Sequence, residues 1–150
     1  MVAVVVGVAV GVGVAVVVVV GIGGGVIMTF LLSGKLPSGK NQIQTAYRNG
    51  RVLRYPNKRF KLWRDTSMKQ LLEQHCLRQK GWPIRTPCGL VVDYVPGDAR
   101  TRDLSGMLDA LFHLLEKAGL VANDGLIQQC KWTTFPMEKG RARAIVTVQY

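Results

Sequence analysis

Hydrophobic and polar positions follow several different rhythms along this chain. Residues 1–27, MVAVVVGVAVGVGVAVVVVVGIGGGVI, have none, because only Met, Val, Ala, Gly and Ile occur there. From Met28 the run MTFLLSG reads as a short buried strand, and KLPSGKNQ supplies turn residues after it. In TAYRNGRVLRYP, Asn49-Gly50 separates two strand-like runs, and both residues tolerate the positive φ of a type I′ hairpin.

A helical rhythm then takes over. KRFKLWRDTSMKQLLEQHCLRQKG spaces Phe60, Trp63, Met68, Leu71, Leu72 and Cys76 at helical intervals, with Gly81 as the expected stop and Trp63 as a core residue. After WPIRTPCG the run LVVDYV is a strand. A second helix follows in RTRDLSGMLDALFHLLEKAG, where Leu104, Met107, Leu108, Leu111, Leu115 and Ala118 form an apolar stripe that Gly119 ends. LIQQCKWTTFP and RARAIVTVQY read as two strands that MEKG is expected to join as a hairpin. The order strand, hairpin, helix, strand, helix, strand, strand predicts an α+β fold, a mixed β-sheet with two main helices packed on it.

The unpatterned run is long enough for a membrane span, which needs ~20 residues. It lacks a positive n-region, a cleavage site and an aromatic belt, and it sets several Gly among β-branched Val. Val, Ala and Gly codons all begin with G, so repetitive DNA ahead of a gene beginning at Met28 would translate into this text. The expected division is a low-complexity segment at 1–27, outside the fold, and a single domain at 28–150. A membrane anchor flanked by Lys35, Lys40 and Arg48 is the alternative.

Charge sharpens the picture. The net charge is +11, and every charged side chain lies after residue 27. Such a basic domain suits a polyanion, since neutralising phosphates releases condensed counterions. Nucleic acid comes ahead of an anionic membrane surface, and a basic domain without such a partner is the plain alternative. Arg48, Arg51 and Arg54 lie beside Tyr47 and Tyr55 on the expected hairpin, where cations could follow a phosphate backbone while rings stack on bases. The same pattern also describes a solvated edge hairpin defended by charge. Cys76, Cys88 and Cys130 are odd in number and lack CxxC or CxxH spacing, so they read as reduced thiols of a cytoplasmic protein. Nothing in their spacing favours a zinc site with His75 and His113.

In the stretch from Arg100 to Gly125, Asp103 suits a helix N-cap and Asp124 a turn beside Gly125. Arg100 and Arg102 precede that cap, setting phosphate-binding groups beside a cation-binding one. The motif RTRDLSG, the helix end EKAG and the pair Asn123-Asp124 fall in one gapless register that resembles the RusA-like Holliday junction resolvases. The opening FLLSGKLPSGKN is similar to that family's first strand and Pro-Ser-Asn loop. The resemblance covers most of 28–150 and none of 1–27.

It implies a homodimeric α+β endonuclease that uses Mg²⁺ or Mn²⁺, held by clustered aspartates, to hydrolyse phosphodiesters in branched DNA. No small-molecule cofactor is implied. Asp103 and Asp124 carry over as metal-ligating catalytic residues, and Arg100 and Arg102 as DNA contacts, to which the basic residues Lys40, Arg48, Arg51 and Arg54 are added. This sequence departs from the family pattern where Ser105 replaces its second Asp, Gly106 its Asn, Asp109 its helical Lys and His113 the following Asp. Asp109, one turn beyond Ser105, is therefore a candidate third ligand. Two alternatives stand beside the active nuclease: a branched-DNA binder with weakened catalysis, and a basic RNA-binding module.

Overall fold

The computed structural model describes residues 17–20, 25–38, 43–74 and 82–150. The expectations placed on Lys40, His75, Cys76 and the Gly81 helix stop lie outside these residues. The described residues form nine strands and helices: β1 (Val17–Val20), β2 (Val26–Ser33), β3 (Ile43–Arg48), β4 (Arg51–Pro56), α1 (Lys58–Glu73), β5 (Cys88–Val95), α2 (Leu104–Lys117), β6 (Ile127–Thr134) and β7 (Arg143–Gln149). A single 3₁₀ turn at Asp124–Leu126 leads into β6.

Five strands form one mixed sheet in the order β1-β2-β7-β5-β6, in which only β5 and β6 are parallel. Alternation decides which face is buried. Met28, Phe30 and Leu32 of β2, Ala144, Val146 and Val148 of β7, and Leu90, Val92 and Tyr94 of β5 point into one core. That core is closed by Met107, Leu111, Leu114 and Leu115 of α2 and by Leu71 of α1. The α+β reading therefore holds, and it is consistent with a RusA-like fold. The buried face of α2 adds Ala110 and Leu114 to the expected stripe, while Leu104 is left 43% exposed at the first turn. Gly119 ends the helix at φ +73°, as its position suggests. Trp63 packs against the core.

The expected hairpin between the last two strands is not present. β7 lies between β2 and β5, so β5 separates it from β6. The segment around MEKG instead crosses the end of β5, with Glu138 N–H donating to the Pro96 carbonyl and Gly140 N–H to that of Gly97. Gly97 is needed there, because a Cβ would stand 2.9 Å from the Ala142 nitrogen.

β3 and β4 form a separate two-stranded hairpin turning at Asn49 (φ 51°) and Gly50 (φ 72°), as the dipeptide predicts. Val17–Val20 run along β2 at the edge of the main sheet. Where β1 stops, α1 takes over that edge. The Gln74 side-chain amide exchanges two hydrogen bonds with the backbone of Leu31, at 2.9 and 2.8 Å. Gln70 does the same with Ser33, at 2.9 and 3.4 Å. Among the described residues, no helix is long and apolar enough to cross a membrane.

Candidate nucleic-acid interface and carboxylate site

The parallel β5–α2–β6 unit sets the geometry. The chain leaves β5, passes through the loop 96–102, and enters α2 at Asp103. α2 carries it back so that β6 can begin level with Cys88. The α2 N-terminus thus shares one end of the sheet with Tyr94 and Thr134, while the 3₁₀ turn lies at the other end.

A cleft opens at the first end. Tyr94, Pro96, Asp98, Arg100, Arg102, Met107, Thr134 and Met137 are among its lining residues. Asp98 organises it, accepting from Lys35 Nζ at 2.7 Å and from Arg102 Nη2 at 3.2 Å, and from the Arg100 backbone N–H at 3.3 Å. The Lys35 ammonium, followed by the Arg102 guanidinium, holds the Asp98 carboxyl at about 2, well below the ordinary carboxylate value. Arg102 Nη1 also donates to the Leu36 carbonyl at 3.2 Å, so this guanidinium ties the loop 34–36 to the loop 96–102. Its Nε is buried without a hydrogen-bond partner. Arg100 is exposed on the rim.

Asp103 occupies the N-cap position of α2, but its side chain makes no capping bond to the helix backbone. It accepts instead from the Ser105 hydroxyl at 2.8 Å. The residue in place of the family's second carboxylate therefore bonds to the first one. Asp109 is exposed on α2, about 9 Å along and about 120° around the helix from Asp103 by the usual rise and pitch.

Asp124 stands elsewhere. Its backbone N–H donates to Glu116 Oε2 at 3.1 Å, near the C-terminal end of α2. Glu116 is about 19 Å along the helix from Asp103, at ~1.5 Å of rise per residue. One chain therefore keeps Asp103 and Asp124 at opposite ends of α2. Among the described residues, no group of three His, Cys, Asp or Glu side chains is placed to hold a metal ion. Asn123 accepts from Gly125 N–H and shapes the turn that presents Asp124.

None of the hairpin residues named from the sequence is among those lining this cleft. Arg48, Arg51 and Arg54 are exposed on β3 and β4, beside Tyr47 (81% exposed) and Tyr55. On this two-stranded ribbon Arg48 pairs across with Arg51, and Thr45 with Arg54.

Sequence reasoning missed Asp98, and named Lys35 only as the flank of an alternative membrane anchor. A signal was present, because Asp98 precedes Arg102 by four residues and acidic groups are scarce in so basic a chain. It also missed Glu138, which takes the Arg143 guanidinium in two bonds of 2.7 Å across the neighbouring loop.

A mixed sheet with its helices on one face, and a basic loop opening onto an aspartate at a helix N-terminus, define an α+β protein whose fold is consistent with a RusA-like one. The chain is 29% identical over 119 residues to "Crossover junction endodeoxyribonuclease RusA" of Aquifex aeolicus, an alignment spanning 79% of this chain and 89% of that protein. No family model matches the chain.

Proposed function

We propose that this protein is a structure-selective endonuclease that hydrolyses phosphodiesters at Holliday junctions or other branched DNA. The observation that carries this is the similarity to the Aquifex relative over 79% of the chain, which takes in the Arg100–Asp103 approach to α2. The net charge of +11 supports a nucleic-acid partner. Arg100 on the cleft rim and the exposed Arg48, Arg51 and Arg54 are the DNA contacts in this reading. Arg102 acts there mainly by fixing the loop that presents Arg100.

The cofactor in this reading is Mg²⁺ or Mn²⁺, which suits carboxylate oxygens and supplies an activated water and charge neutralisation. Asp103 and Asp124 are its ligands. One chain does not bring them together, so a single copy offers no complete cage. A four-way junction presents two symmetric strands, and two copies related by a twofold axis match it.

The test is cleavage of a synthetic four-way junction, with duplex DNA and an RNA of equal length alongside, in Mg²⁺, Mn²⁺ or chelator at fixed salt. Metal-dependent cuts confined to the junction are expected, with none by Asp103→Asn. The Ser105–Asp103 bond favours one second reading, a branched-DNA binder with weakened catalysis. Tight junction binding without cuts would select it, and preference for RNA would remove both.

A further inference from the structure

The hairpin β3–β4 stands outside the main sheet and its core. Neither strand pairs beyond the hairpin among the described residues, and none of its side chains joins the core cluster. Register divides those side chains between two faces. Tyr47 pairs with Val52, Thr45 with Arg54 and Ile43 with Pro56, which puts these six on one face. Gln44, Ala46 and Arg48 lie on the other, opposite Tyr55, Leu53 and Arg51. The first face is the more open: Tyr47 is 81% exposed, Ile43 66% and Val52 52%, against 44% for Leu53 and 43% for Tyr55. A two-stranded ribbon of this kind is marginal by itself, so a partner that covers it also steadies it.

Charge narrows the choice of partner. Residues 43–56 contain Arg48, Arg51 and Arg54 and no acid, and none of the three has an ion-pair partner among the described residues. Arg48 and Arg51 stand directly opposite one another beside the turn, and like charges so placed cost stability unless an anion lies between them. A phosphodiester strand supplies that anion, and with each phosphate it brings a flat ring that an exposed tyrosine can stack on. In a duplex the ring faces are hidden in the stack and only base edges reach the grooves. Tyr47 therefore suits bases that have left the stack.

We infer that the tip of this ribbon takes up unpaired bases where DNA strands branch, Tyr47 and Val52 packing on a base from one face while Arg48 and Arg51 hold the phosphate of the same strand from the other. The ribbon thereby favours branched over continuous duplex DNA. The inference rests on the proposed nuclease reading for the presence of branched DNA, whereas the preference for unstacked bases stands on the hairpin alone.

The experiment uses the full chain in chelator, so that binding is read without cutting. Affinity for a synthetic four-way junction, a duplex and a single strand of equal length is measured by fluorescence anisotropy at fixed salt. Tyr47→Ala should lower the ratio of junction to duplex affinity by about tenfold and single-strand affinity by a similar factor, the effect of losing one stacked base. Tyr47→Phe should restore both. Arg48→Ala should weaken binding and make its salt dependence shallower by about one counterion. In the wild type, 5-iodouracil at the branch point should photo-cross-link to Tyr47, and 5-iodouracil within a duplex arm should not. A junction-cutting wild type whose affinity ratio is unmoved by Tyr47→Ala, or whose branch-point cross-link maps elsewhere, overturns the inference and leaves the nuclease reading standing. Equal losses on junction and duplex overturn it too, as does a Tyr47→Ala variant that alters only self-association or binding to phosphatidylserine vesicles. A wild type that neither cuts nor prefers junctions removes the nuclease reading. The ribbon is then judged by the single strand, and binding there that does not depend on Tyr47 overturns it.

Discussion

Gln74 stands against Leu31 as a neighbouring strand residue would, its carboxamide both accepting from the Leu31 N–H and donating to the Leu31 carbonyl. It is 6% exposed, so water cannot replace these bonds. Replacing Gln74 with Ala should lower stability by about 2–4 kcal/mol, the cost of two backbone groups left unsatisfied and a small void. Urea unfolding measures it, and Gln74→Glu should fare no better because a carboxylate cannot donate to the Leu31 carbonyl.

Asp98 gives the fold an acid-sensitive contact. Its folded value is about 2, against an ordinary value of 3.8. The depressed carboxylate contributes stability that is present above about pH 4 and is lost as pH falls through about 2. Asp98→Asn should therefore lower stability at neutral pH and flatten the stability profile between these limits, as read by thermal unfolding across pH.

Arg100 and Arg102 should separate in experiment. Arg102→Ala removes the bonds to Asp98 and to the Leu36 carbonyl and should cost about 1–3 kcal/mol of stability. Arg100→Ala should leave stability unchanged and make the salt dependence of DNA binding shallower by about one counterion. Equal effects on both measurements would contradict this division.

Asp109 tests the reach of the carboxylate site. It stands about 120° around α2 from Asp103. Asp109→Asn should keep cleavage within about twofold of wild type, while Asp103→Asn and Asp124→Asn abolish it. A collapse with Asp109→Asn would make it a third ligand.

Removing residues 1–24 should leave the domain folded, because the buried core begins at Met28. Circular dichroism and the unfolding midpoint check this. Loss of cooperative unfolding would assign β1 a structural role beyond edge cover.

Much of this fold is legible locally. Asn49-Gly50 fixes the hairpin and Gly119 the end of α2, because each needs a positive φ that few residues adopt. The position of β7 is not legible, since a turn such as MEKG looks the same whether its strands pair or are parted by a third. Asp98 reads locally as an ordinary loop residue, and only the folded chain brings Lys35 to it. The motif in RTRDLSG marks Asp103, but the distance to Asp124 follows from the length of α2 and the direction of β6.

The placement of β7 also bears on how the chain folds. Thr29 and Thr147, whose hydroxyls meet at 2.9 Å, are 118 residues apart in sequence. During synthesis β2 and β5 emerge with a vacancy between them that β7 fills only after every other described element has left the ribosome. Until then both strands expose hydrogen-bonding edges, and assembly of the sheet depends on a late, long-range closure. Refolding should accordingly be slow for a domain of this size, and the nascent chain should be prone to engage chaperones.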